Sequence, residues 1–136
     1  MSEENIEIVR RAYAAALRRP SPDLETTDAL FDRDAVIVPI ATTAEGRTLR
    51  GVDGFREYLA DLDGIARSWE AKVLEVEELD DERVLAEAHH VGISREAGVP
   101  WEENVWYLVT LRDGRIVRTE TYRSRDEALV AAGLAE

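Results

Sequence analysis

The sequence predicts one α+β domain: a curved antiparallel sheet packed on one face by N-terminal helices, with a short C-terminal helix. Three observations carry this prediction. Residues 3–17 and the stretch after Gly51 space their apolar side chains for helices, while residues 69–123 alternate in long strand-like runs. The chain then closes with a helix-start signature after its last strand. Helices first and an antiparallel meander afterwards find an economical solution in helices covering one face of the sheet, enclosing a cone-shaped pocket.

Composition narrows the class. With 136 residues the chain supports a single domain, residues 1–136, with a real core. Apolar residues at 45% and charged residues at 34% describe a globular rather than a disordered chain. Seventeen basic against 29 acidic residues give a net charge of −12, which argues against nucleic acid and anionic membranes as partners. There is no cysteine, so disulfides, thiol nucleophiles and thiolate zinc sites are excluded. No apolar run approaches the ~20 residues of a membrane-spanning helix. The opening MSEENIEIVRRAY is acidic and then amphipathic, unlike a signal peptide, so a cytoplasmic location is expected.

The elements follow in order. Helix one is expected over residues 3–17, capped by Ser2, with Glu3 and Glu4 at its positive end. Ile6, Val9, Tyr13, Ala16 and Leu17 share its apolar face, and Pro20 stops it. Helix two spans residues 22–31, with Ser21 as N-cap and Pro22 in the first helical position. AVIVPI, residues 35–40, reads as a buried strand ended or pushed to an edge by Pro39. Residues 42–50 form a polar loop with room for a short strand. Helix three follows Gly51, runs to about residue 66 and is expected to bury Phe55, Tyr58, Leu59, Leu62 and Ile65.

Residues 69–79 alternate except at Val73-Leu74, where a bulge is expected. Residues 83–95 and 99–111 are two long strands joined near Ala97-Gly98. A final strand covers residues 115–123. Ser124 and Glu127 then form an S-x-x-E capping box, opening a helix that ends at Gly133.

The stretches ENIEIVRRAYAAAL, ALFDRDAVI, RGVDGFREYL and WYLVTLRDGRIVRTETYRSRDEALVAAGL, in that order, resemble SnoaL-like proteins of the NTF2-like superfamily, over nearly the whole chain. The resemblance implies a cone with a deep cavity and a homodimer formed through the outer face of the sheet. It does not imply one chemistry, since the superfamily holds ketosteroid isomerases, polyketide cyclases, epoxide hydrolases, dehydratases and non-catalytic carriers.

Strand geometry sorts the remaining candidates. A hairpin at Ala97-Gly98 pairs Gly92 with Glu103, His90 with Val105 and Ala88 with Tyr107. One face then carries Ala86, Ala88, His90, Glu103, Val105, Tyr107 and Val109. The other carries Glu87, His89, Val91, Glu102, Asn104, Trp106 and Leu108. Likeness to ketosteroid isomerases implies that the His90 face is the inner one. For the last strand, a three-residue loop at residues 112–114 turns Val117, Thr119 and Thr121 inward, and a two-residue turn turns Arg118, Glu120 and Tyr122 inward instead. The family likeness favours the first.

His90 is the acid–base candidate, because imidazole titrates nearest neutral pH. Tyr13 matches the isomerase tyrosine that donates to an oxyanion, and Tyr107 falls near that enzyme's second donor. Each has a plain alternative as a satisfied core residue. Trp101 is expected at the entrance. Glu103 reads as a solvated residue near the cavity mouth or, alternatively, as a partner that orients His90 through a diagonal cross-strand contact, and Val105, Ala88, Thr119, Thr121 and Phe55 are expected to line the ligand site. Trp106 suits a dimer interface. His89 and His90 point to opposite faces and cannot share a metal, so neither a metal nor another cofactor is expected.

Departures from the relatives are specific. Pro39 stands near the position of the isomerase's general base, and Thr119 or Thr121 near the cyclase's catalytic aspartate. Two readings remain: a cofactor-independent acid–base enzyme (isomerase, cyclase or hydrolase in type) on a small apolar or aromatic molecule, or a non-catalytic ligand-binding or dimeric structural domain.

Overall fold

A computed structural model describes residues 2–39 and 48–134. Helix α1, Ser2–Ala16, begins one residue before the expected start and buries Val9, Tyr13 and Ala16 of the expected stripe, with Ala12 and Ala15 beside them, while Ile6 is only partly buried. Helix α2 is Leu24–Leu30, two residues shorter at its start than expected. Its cap is Asp23, not Ser21. The Asp23 amide donates to the Ala15 carbonyl at 2.9 Å, and its carboxylate accepts from the Thr26 amide at 3.1 Å.

Strand β1 is Phe31–Val38 and so starts four residues before the expected position. Parallel pairing with the last strand, Phe31 opposite Ile116, recruits those residues, and no local pattern announces it. The polar loop expected from residue 42 onward lies mostly outside the described residues, as does Ile40. Its end, Leu49–Arg50, forms the two-residue strand β2 against β1. Helix α3 is Gly51–Ile65.

Four strands complete the sheet: β3 Ala66–Glu78, β4 Arg83–Ser94, β5 Pro100–Arg112 and β6 Arg115–Tyr122. Their order is β2-β1-β6-β5-β4-β3, antiparallel throughout except for the β1–β6 pair. The bulge at Val73-Leu74 is present. Val73 pairs with Ala88 and Glu75 with Glu87, leaving Leu74 extra and exposed.

Two hairpins depart from expectation. Between β4 and β5 the observed pairs are Gly92–Trp101, His90–Glu103 and Ala88–Val105, two residues from the predicted register. The connection is a wider loop closed by Ser94 and Val99, with Gly98 at φ +64°. A slip of two preserves the faces, so His90, Glu103, Val105 and Tyr107 still share one side. Between β5 and β6 the turn is the tight two-residue form, Asp113-Gly114, both at positive φ, because Arg112 pairs directly with Arg115. A bulge then absorbs Val117, since Leu111 pairs with Ile116 but Thr110 with Arg118. That bulge returns Thr119 and Thr121 to the face of Val109 and Tyr107.

Helices α1 and α3 pack on the inner face, over a core that includes Phe31, Ala35, Val84, Val109 and Ile116. Ser124 accepts from the Glu127 amide at 3.1 Å and caps α4, Arg125–Ala131. This helix covers Leu85 and Leu108 on the outer face, forming a second, smaller core. None of the described helices is long and apolar enough to cross a membrane.

Gly51 has φ +63°, and a Cβ there would sit 2.7 Å from the Arg33 carbonyl oxygen. Gly51→Ala is therefore expected to cost about 2 kcal/mol or more, from left-handed strain plus the backbone clash. Chemical denaturation measures it. A cost below about 0.5 kcal/mol would mean that the β1–α3 junction is not held this way.

Candidate functional site

The site forms because two alanines leave space on the inner face. His90 and Tyr107 are not paired neighbours, for Tyr107 lies opposite Ala86, four pairs further along the ladder and two on the same face. Fully buried Ala86 and Ala88 occupy the ground between them. The two rings lean over it until His90 Nε2 and the Tyr107 hydroxyl share a 2.8 Å hydrogen bond. Behind Tyr107 lies Tyr13 from α1, stacked face to face with centroids 4.4 Å apart and planes 5° apart. The Tyr13 hydroxyl is hydrogen-bonded to Thr119. Phe31, Phe55 and Tyr58 continue the chain of edge-to-face contacts from Tyr13.

These rings fill the base of the cone. The void left among Tyr13, Phe55, Tyr107, Thr119 and Pro39 is about 10 Å³, at the lower limit for one water. The open space lies nearer the mouth, in a cavity of about 430 Å³. His90, Trp101, Glu103 and Val105 line it from the sheet, and Tyr58 and Leu62 from α3.

The structure therefore divides the residues singled out in the sequence. It brings His90, Trp101, Glu103, Val105 and Thr121 to the larger cavity. It keeps Tyr13, Tyr107, Thr119 and Phe55 in the filled base, where Thr121 also reaches. Ala88 is fully buried and lies on neither wall. Tyr107 touches the cavity's chemistry only through its bond to His90. Glu103 is directly opposite His90 rather than diagonal to it, and its carboxylate pairs instead with Arg123 at 3.6 Å.

On α3, sequence reasoning named Phe55 as a ligand-lining residue and missed Tyr58, Leu62 and Ile65. Tyr58, Leu62 and Ile65 were legible as one helical stripe, and Ile65 at 63% exposure shows that the stripe outruns the core. Arg123 was also missed, though it follows Thr121 at strand spacing.

Burial, with a smaller contribution from the neighbouring His89, lowers the His90 pKa to about 4, so its imidazole is neutral at pH 7. Burial pushes the Tyr107 and Tyr13 hydroxyls up, and Tyr58 to about 12 with help from the Glu103 charge. His89 behaves oppositely on the outer face. Its bond to Asn104 and the nearby Glu102 raise its pKa. Among the described residues, no three of His, Asp or Glu cluster to hold a metal.

Trp101 owes its position to Gly92. The two are a cross-strand pair, and a Cβ on Gly92 would lie 2.2 Å from Trp101 Cη2. Gly92→Ala is expected to lift the indole and cost about 1–3 kcal/mol. In a Trp101→Leu background the same change is expected to cost clearly less; an equal cost in both backgrounds would show that the indole does not rest on Gly92.

His90 also sets a pH dependence. Its folded pKa of about 4 lies below the ordinary 6.5, so its contribution to stability is complete above pH 6.5 and is lost as the pH falls towards 4. Relative to His90→Asn, the wild type should lose roughly 2–3 kcal/mol across that window. Parallel pH curves for the two proteins would contradict a buried neutral imidazole.

The SnoaL-like domain model matches residues 9–119 of this chain. TerC, co-crystallized with polyporic acid, superposes with a TM-score of 0.73 at 22% identity, covering 96% of this chain and 97% of its own. An NTF2-like protein of unknown function from Burkholderia pseudomallei gives 0.72 at 21% identity, with coverages of 96% and 97%. A protein of ketosteroid isomerase-like fold from Catenulispora acidiphila, in complex with trimethylamine, gives 0.69 at 23% identity, with coverages of 94% and 93%. A search of curated proteins gives no match. Identities this low speak to fold alone, whereas the domain match spans most of the sequence: the chain belongs to the SnoaL-like domain family and has the NTF2-like fold.

Proposed function

We propose that this chain binds a small, largely apolar molecule at the mouth of the cone and hydrogen-bonds one oxygen of it through His90. One observation carries the reading: a 430 Å³ cavity, walled mainly by apolar side chains, has on its sheet side an imidazole already oriented by Tyr107. With Nε2 engaged, Nδ1 is the nitrogen left for a ligand. Trp101 and Tyr58 offer aromatic surface for a planar ring, and Glu103 with Arg123 gives the rim its polarity.

If chemistry follows binding, it is cofactor-independent proton transfer at a carbonyl or hydroxyl, with His90 carrying the proton and Tyr107 steadying the ring. Tyr13 then supports Tyr107 by stacking and does not reach the reacting atoms. A non-catalytic binder has its own support. The bases expected from the relatives are replaced by Pro39, Thr119 and Thr121, and an imidazole with a pKa of about 4 is a weak base at rest. Dimerisation through the outer sheet face, around the partly buried Trp106, belongs to the same proposal, as does a cytoplasmic location.

The test uses polyporic acid, the compound held by TerC, together with a panel of phenols and aryl ketones. Thermal shift and spectroscopic titration should detect binding to the wild type, and His90→Asn should weaken it about tenfold, the worth of one hydrogen bond in a dry site. Slow conversion of a bound ketone by the wild type alone would identify an enzyme. Undiminished affinity in both His90→Asn and Trp101→Ala would remove the ligand from this cavity altogether.

A further inference from the structure

Strand β3 is the last strand of the sheet, 13 residues long, and among the described residues its outer edge pairs with no other strand. The C-terminal half of α1 and the segment after it run alongside. Between them, and reaching His89, Val91, Gly92 and Ile93 of β4, lie three adjoining hollows of about 320, 360 and 550 Å³. Leu17 and Lys72 belong to both the first and second, and Arg19 and Glu70 to both the second and third, so together they make one trough.

The charge of this trough opposes that of the protein. In a chain of net charge −12, its walls carry Arg10, Arg18, Arg19, Arg67 and Lys72 against a single carboxylate, Glu70. Arg19 is held by Asp63 at 3.1 Å, and Arg18 and Arg67 donate to backbone carbonyls. The side chains of exposed Arg10 and Lys72 have no ion pair or hydrogen bond among the described residues.

We propose that this trough docks an extended acidic segment of a partner protein, which adds to the sheet along β3. A strand edge offers amide donors and acceptors at peptide spacing, which a peptide backbone matches and a nucleic acid does not. The trough follows β3 from Arg67 to Val73, about 23 Å at ~3.3 Å per residue, room for a segment of roughly seven residues. The Leu74 bulge bends the strand away at one end. A second copy fits less well, since its β3 brings Arg67 and Lys72 of its own to the cationic trough and the register that sets Lys72 opposite Lys72 repels. The cations thus discourage self-pairing and attract an acidic strand.

The probe is a fluorescein-labelled peptide of about eight residues alternating Glu with Val, followed by anisotropy at low ionic strength. Binding should weaken as salt rises. Charge reversal in Arg10→Glu/Lys72→Glu should reduce affinity by about tenfold or more, while Glu70→Gln, a change that cannot act by unfolding, should strengthen it severalfold. The same peptide N-methylated at alternate residues keeps its charge and loses its amide donors, and it should bind at least about tenfold more weakly. Equal binding of the N-methylated peptide would overturn strand addition. Equal or tighter binding of a single-stranded RNA of the same charge would overturn the peptide assignment. No binding of the acidic peptide to the wild type or to Glu70→Gln would overturn the groove itself.

Discussion

The stack of Tyr13 on Tyr107 is the contact on which the rest of the site depends. It ties α1 to the centre of the sheet, with rings 4.4 Å apart and nearly parallel. Two rings so placed occupy the base of the cone and leave about 10 Å³ beside them. Each ring also brings a hydroxyl out of water, and a buried hydroxyl needs a partner. Tyr13 finds Thr119, and Tyr107 finds His90. Nothing polar is left orphaned among the buried side chains of the described residues. The orientation of His90 therefore follows from packing and satisfaction in the core, and the cavity begins where the aromatic filling stops.

Charge is organised with the same economy. Acidic residues dominate the chain as a whole, yet five cations gather along the β3 edge, which pairs with no further strand among the described residues. On the outer face, His89, Asn104, Glu87 and Glu102 form a polar network beside the apolar patch under α4. The inner face holds a neutral histidine. Adjacent histidines on one strand consequently see opposite conditions: a hydrogen bond with Asn104 and the Glu102 carboxylate raise one, and burial lowers the other. Strand alternation alone produces that contrast.

Much of this was legible from the sequence, for physical reasons that can be named. Helical spacing found the buried stripes of α1 and α3, and alternation found the faces of β4 and β5, because burial on one side imposes both periods. Ser124 and Glu127 announced α4 through a local hydrogen bond. Pairing between distant segments was not legible. The parallel contact of β1 with β6 carries no local mark, and it moved the start of β1 from Ala35 to Phe31. Register depended on loop closure at Ser94 and Val99, and the true β5–β6 turn was rescued by a bulge at Val117 that no composition signals. The cavity was the least legible part. Its size is set by where the Tyr13 and Tyr107 rings come to rest, and sequence spacing does not reach that far.

The lowered pKa of His90 has a consequence for the kind of ligand this pocket can favour. An imidazole held near pKa 4 by burial resists protonation because its charged form lacks solvation. A ligand oxygen that is anionic, or becomes so during proton transfer, supplies the missing stabilisation at close range, and the low-polarity walls strengthen that interaction. On the proposed reading, proton affinity at His90 would rise with negative charge on the ligand, so an imidazole that is a poor base in the empty pocket would become a better proton carrier beside a developing oxyanion. A cationic ligand group beside His90 would do the reverse and deepen the penalty. Such a group would have to stay at the rim, where Glu103 provides a carboxylate. On the proposed reading the pocket would discriminate by the sign of charge at its inner end, and this discrimination would arise from the same aromatic filling that closes the base of the cone.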